Sequence, residues 1–258
     1  NIVTPEYPKL VYVLDECNAL NGGEYDYITK LAIKCSAKRK YPIYLSAKRM
    51  RENYKGNVFC PIGNNIFLTP WKNEKGKYQF EGRFNQGIVN INLPQIAILA
   101  DGDEQRFWNI LDERLELCYE ALMCRHYSLV GIESDISPMH WQHGAISKLE
   151  KGERIDSLLY GGYSILTLGY IGIAEMVKII KGKALSTEEG HQFALKVIKH
   201  LKEASLKWKK ETNIEFVICG MISESLGKRF AQKDKEKFGT IKDINDKGKY
   251  TSAYCLNK

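Results

Sequence analysis

Nine residues in the first third of the sequence, CPIGNNIFL at 60–68, put a thiol, a proline, a glycine and two asparagines around one turn. Pro61 and Gly63 favour a tight change of direction, and Asn64 and Asn65 tolerate the backbone that such tips require. Cys60 is the cysteine beside the tip. A thiol reacts only where its surroundings favour the thiolate, and the ordinary expectation is a buried, inert cysteine. Ser223-Glu224-Ser225 follows the apolar run IEFVIC. A strand-to-helix junction of that kind has unpaired N–H groups able to hold phosphate, and it serves equally as a plain N-cap, the commoner use. Gly169-Tyr170-Ile171-Gly172 is a second junction where backbone could approach a ligand, but it lacks the G-x-G-x-x-G pattern of dinucleotide binding. His140 and His143 in HWQH stand one helical turn apart. Two ligands do not complete a metal site, so packing or hydrogen bonding is expected of them.

The elements that must position these residues alternate between strand and helix. KLVYVL (9–14) reads as a strand, and a helix follows from Tyr25 to about Lys38. NVFCPI (57–62) and residues 66–71 read as strands flanking the tip. KNEKGKYQFEGR (72–83) is a polar hairpin turning at Lys75-Gly76. QGIVNINLP (86–94) alternates as a strand does. A long helix begins near Asp101 and Asp103, whose charge suits a helix N-terminus. Its Phe107, Leu111, Leu115, Cys118 and Leu122 recur at three and four, down to about Arg125. Residues 163–180 read as a strand passing through the Gly169–Gly172 turn into a helix. Ser186-Thr187-Glu188-Glu189 has capping-box spacing and opens a helix to about Thr212, with Leu195, Ile198, Leu201 and Trp208 close to one face. IEFVIC is a strand, residues 223–238 are a helix ended by Gly239, and YTSAYC (250–255) is extended. This alternation predicts an α/β barrel or doubly wound sheet, with residues 1–258 inside one domain.

Composition narrows the setting. The chain has 258 residues, 44% apolar and 27% charged, as a globular protein does. No apolar run reaches the roughly 18 residues of a membrane helix, and NIVTPEYPK at the start is not a secretory signal. The first residue is Asn1, so the chain is either processed or a piece of a longer polypeptide. Seven cysteines without a C-x-x-C pair point to reduced thiols in a cytoplasm. The net charge of +7 permits an anionic partner such as a nucleotide. Nucleic acid is not expected, because the six lysines of 196–210 lie opposite an apolar helix face with no aromatic ladder among them.

Several stretches together resemble one family: PKLVYVLDE, CSAKRKYP, PWKNEKGKYQFEGRFNQGIVNINLPQIA, FWNILDERLELCYEAL, HWQHGAISKLEKGERID, TLGYIG, SESL…RF and DKEKFGTIKDINDKGKYT. In this order, across nearly the whole chain, they are similar to the anaerobic, class III ribonucleoside-triphosphate reductases, which are glycyl-radical enzymes. The resemblance implies part of a ten-stranded α/β barrel with a finger loop through its centre and a cysteine at the loop's tip. That cysteine becomes a thiyl radical, generated by a glycyl radical, and takes a hydrogen atom from the ribose of a nucleoside triphosphate, with formate as reductant in many members. The partners implied are the nucleotide, an activating radical-SAM enzyme or an intact reductase subunit, and a second copy in a homodimer. The glycyl-radical loop, a structural zinc module, the regulatory region and the first half-barrel belong to segments outside this stretch, so no cofactor is expected within it.

The family's finger loop reads roughly P-M-G-C-R-S-F-L, and the matching residues are Pro61-Ile62-Gly63-Asn64-Asn65-Ile66-Phe67-Leu68. Asn64 thus stands at the thiyl cysteine's position, Ile62 at that of a substrate-side methionine, and Ile66 at that of a serine. The phosphate-side turn G-T-P-x-E-S-L matches Gly220-Met221-Ile222-Ser223-Glu224-Ser225-Leu226, keeping Ser223, Glu224 and Ser225 but not Thr-Pro. Asn85 matches the barrel asparagine that lines the family's substrate site. These departures imply a chain inactive by itself, with a nucleotide-binding or partner-binding paralogue as the alternative.

Overall fold

The computed structural model describes residues 10–19, 22–39, 42–62, 66–221 and 223–252. The chain divides into two compact units: Asn1–Cys60 with Lys72–Phe80, and Pro61–Trp71 with Glu81–Lys258.

In the first unit, β1 (Val11–Leu14) pairs in parallel with β2 (Ile43–Ser46). A parallel pair needs a crossover, supplied here by α1 (Glu16–Ala19) and α2 (Asp26–Arg39). Ser46 caps α3 (Ala47–Asn53), its side chain accepting from the Arg49 amide. Phe59 stacks on Phe80 with ring centroids 3.9 Å apart, and Tyr54 meets Phe59 edge-on. The expected hairpin at 72–83 forms at its tip, with Lys72 bridging Tyr78 and Gly76 at φ +72°.

The second unit is built on a parallel sheet ordered β3 (Asn85–Asn92), β4 (Ile165–Ile171), β5 (Glu215–Gly220). Around it run α4 (Leu93–Ala100), α5 (Glu104–Tyr127), α6 (Pro138–Trp141), α7 (Ile173–Lys181), α8 (Glu188–Thr212) and α9 (Glu224–Phe238). All five apolar positions expected of α5 are buried, and they join Leu166, Leu168, Phe193, Val197, Leu201 and Phe216 in one core. Asp103 caps α5 through the Arg106 amide.

The structure corrects several expectations. Neither 57–62 nor 66–71 is a strand; an isolated Ile62–Ile66 bridge is what forms. Each limb carries a proline, Pro61 and Pro70, and proline offers no N–H to a ladder. Gly169, Tyr170 and Ile171 remain in β4, leaving Gly172, at φ +77°, as the turn. Thr187, not Ser186, caps α8, accepting from the Gly190 amide. Leu195 is exposed, because the buried stripe of α8 runs through Phe193, Val197, Leu201, Ser205 and Trp208. Residues two positions apart on a helix are separated by about 200°, so Leu195 faces away from Phe193. Asp101 is the left-handed C-cap of α4 rather than part of the α5 start. Of the expected extended segment 250–255, residues 253–255 lie outside the described residues.

His126, in the last turn of α5, is fully buried. The Gln86 side-chain nitrogen donates to the Leu159 carbonyl and to Ser164 Oγ. Gln86 Oε1 is therefore the acceptor for His126 Nδ1 at 2.8 Å, and Nε2 is free to accept from the Tyr160 hydroxyl at 3.0 Å. Burial pushes the imidazole pKa below its ordinary 6.5. The unfolded chain thus binds this proton more readily than the folded one. The stability His126 contributes is complete above about pH 6.5 and is lost as pH falls through the lowered folded value, with a slope of at most about 1.4 kcal/mol per pH unit. Urea midpoints measured at pH 7.5 and 5.5 should drop more for the native chain than for His126→Gln; equal drops would contradict this assignment.

Candidate functional site

Alternation along the sheet separates two faces. Val89 and Ile91, Leu166, Leu168 and Tyr170, and Phe216 and Ile218 pack into the core with the helices. The opposite face carries two rows set by the register, Ile88–Thr167–Val217 and Asn90–Gly169–Cys219.

Asn85 begins β3 beside a bulge. Its Nδ2 donates to Thr167 Oγ1 at 2.7 Å, and its Oδ1 accepts from the Gly87 amide at 3.0 Å. Thr167 is fully buried. Asn90 Oδ1 is buried without a hydrogen-bond partner. A Cβ on Gly169 would sit 1.8 Å from that oxygen, so glycine at 169 is what lets the amide lie over β4. Cys219, beside Gly169 in the register, is partly buried, and burial raises its pKa, so it remains a thiol. Sequence reading missed Asn90 and Cys219 as site residues; the alternation of Asn90 with apolar neighbours was the available signal.

Ser223 is the N-cap of α9, accepting from the Leu226 amide at 3.3 Å and lying 3.1 Å from Ser225 Oγ. Glu224 faces Lys249 at 3.3 Å and Lys228 at 4.0 Å. These three residues sit at the carboxyl end of the sheet, whereas Asn85 sits at its amino end. Asn85 is in register with Ile165 and Glu215, and Gly220 lies five steps further along β5. At about 3.3 Å per residue that is roughly 16 Å. The structure therefore does not gather Asn85 and Ser223 around one atom; a ligand touching both must lie along the strands.

Ile62 and Ile66 exchange backbone hydrogen bonds, 2.9 Å from the Ile62 amide and 3.1 Å from the Ile66 amide. Asn64, with Gly63 and Asn65, lies outside the described residues. Ile66 and Leu68 on the return limb are buried. Cys60 is exposed, contrary to the expectation of a buried thiol, because it is the neighbouring Phe59 that enters the aromatic cluster. His140 Nδ1 bonds Ser137 Oγ at 2.6 Å, and His143 lies beyond the end of α6. Among the described residues no group of three or more His, Cys, Asp or Glu could hold a metal, and no helix is long and apolar enough to cross a membrane.

Residues 2–257 match the family model described as anaerobic ribonucleoside-triphosphate reductase. The reductase of that name from Enterobacteria phage T4 is 37% identical over 262 residues, an alignment covering 99% of this chain and 42% of the relative. The one from Escherichia coli (strain K12) is 34% identical over 261 residues, covering 100% of this chain and 36% of the relative. A solved anaerobic ribonucleotide reductase superposes with a TM-score of 0.59 at 19% identity, over 95% of this chain and 36% of that one. The Thermotoga maritima enzyme in complex with dATP and CTP gives 0.57 at 19% identity, over 95% and 37%. The chain spans well under half the length of these proteins, and it shares their fold with the barrel represented in part.

Proposed function

The chain belongs to the anaerobic ribonucleoside-triphosphate reductase family, and from that premise we propose that it is the part of a reductase barrel that presents a nucleotide-binding face yet lacks the group that starts the reaction. What carries this reading is Asn64, which the resemblance of 61–68 to the family's finger loop puts at the position of the thiyl cysteine. An amide has no S–H bond to give up and no sulfur to hold a radical. Cys60 is not expected to substitute: it stands four residues before the tip position, and abstraction needs reacting atoms about 3–3.5 Å apart.

In this reading the family reaction, reduction of ribonucleoside triphosphates to deoxyribonucleotides, takes its glycyl radical, formate, structural zinc and activating radical-SAM enzyme from outside this stretch. It takes place in the cytoplasm, in a homodimer or beside an intact reductase subunit. What this chain contributes is position. Asn85 and Asn90 carry amides on the sheet face opposite the helical core, and the Ser223 cap sets the α9 N-terminus at the far end. A nucleotide is long enough to lie along that path and is anionic at the end that would meet the helix.

Isothermal titration with CTP tests the reading. One CTP per chain should bind without turnover, at least about fivefold more weakly after Asn90→Ala, since one amide contact is worth about 1 kcal/mol. Absence of binding at millimolar CTP would overturn it and leave the non-catalytic, partner-binding alternative.

A further inference from the structure

Arg83 lies two residues before β3 and is 5% exposed. Among the described residues its guanidinium donates to the backbone carbonyls of Tyr163 from Nε at 2.7 Å, Thr69 from Nη1 at 2.7 Å, and Gly162 from Nη2. Thr69 belongs to the limb that returns from the Ile62–Ile66 pair, and Gly162 and Tyr163 form the turn that leads into β4. The same limb is gripped again at Trp71, whose ring meets Tyr163 edge-on at 5.1 Å and lies 5.9 Å from the Arg83 guanidinium. Gly162, at φ +88°, has a conformation that side-chain-bearing residues rarely adopt. Thr69 Oγ1 is buried without a partner, so the limb is held through its backbone at the expense of that hydroxyl.

We infer that Arg83 is a positioning residue, a fork that locks the limb 66–71 to the sheet and so fixes the Ile62–Ile66 pair relative to Asn85. This inference rests on reading 61–71 as the limbs of a presenting loop. A planar fork meets these carbonyls with three separate nitrogens in fixed directions, whereas lysine carries its donors on a single atom and cannot reproduce that spread. Burial lowers the Arg83 pKa to about 10, so the fork stays charged at neutral pH.

Amide hydrogen exchange tests the inference without any nucleotide, so its outcome is independent of CTP binding. In Arg83→Met and Arg83→Lys, the Ile62 and Ile66 amides should exchange about tenfold faster or more while the Leu166 and Leu168 amides of β4 keep their rates, the pattern of a local opening. If Arg83→Met fails to fold, Arg83→Lys decides on the same criterion. Unchanged rates at Ile62 and Ile66, or an equal acceleration in β4, would overturn the positioning role.

Discussion

Asp234→Ala should lower the unfolding free energy by about 3–5 kcal/mol, the scale of losing three hydrogen bonds to one side chain. The Asp234 side chain is fully buried on α9. It accepts from Asn92 Nδ2 at 2.8 Å, Gln95 Nε2 at 2.6 Å and the Tyr250 hydroxyl at 2.8 Å. One carboxylate therefore ties the β3–α4 junction, α9 and the C-terminal segment together. Alanine would leave the buried Tyr250 hydroxyl and the part-buried amides of Asn92 and Gln95 without their acceptor, each costing about 1–3 kcal/mol, with relaxation keeping the sum within the stated range. Tyr250→Phe removes one donor and leaves the carboxylate two, so its loss should be nearer 1 kcal/mol. Urea unfolding of both variants checks the ranking. A loss below about 1 kcal/mol for Asp234→Ala would mean that the hub is solvated.

Asn64→Cys should convert an inactive barrel segment into an active one when this chain replaces the matching stretch of the phage T4 relative. Hydrogen abstraction needs a weak bond to hydrogen at the tip, and of the two side chains only cysteine has one. The Ile62–Ile66 pair needed to support the tip is already closed in this chain, and Arg83 holds the limb behind it. On the proposed reading, the aliphatic Ile62 and Ile66 fill positions that the resemblance gives as polarisable or polar. Activity regained through Asn64→Cys should therefore fall short of the relative's by about tenfold or more, the scale at which small misplacements cost rate.

Legibility in the sequence followed the kind of signal each element carries. Helix α5 was readable because its buried positions recur at three and four over several turns, from Phe107 to Leu122. Helix α4 was not, because Leu93, Pro94, Ile96, Ala97 and Ala100 are all buried and leave no polar face to mark a period. The limbs around the tip looked like strands by composition, and their prolines decided otherwise. In the site, Asn85 was found by resemblance and Ser223 by its place after the apolar run IEFVIC, and sequence spacing could not say that they lie at opposite ends of the sheet. Arg83 gave no signal, since its acceptors are backbone carbonyls 14, 79 and 80 residues away. Asn90 matters through Gly169, a pairing that exists only once β3 and β4 are in register.

The central claim is that residue 64 separates the fold from its chemistry. Its most direct measurement is anaerobic deoxycytidine triphosphate formation from CTP, with formate and the activating enzyme, by the T4 chimera carrying Asn64 and by the same chimera with the Asn64→Cys substitution. Product is expected from the substituted chimera and none above background from the chimera that keeps Asn64. Formate-dependent product from the Asn64 form would contradict the claim, and would require that another thiol, Cys60 or Cys219, carries the radical.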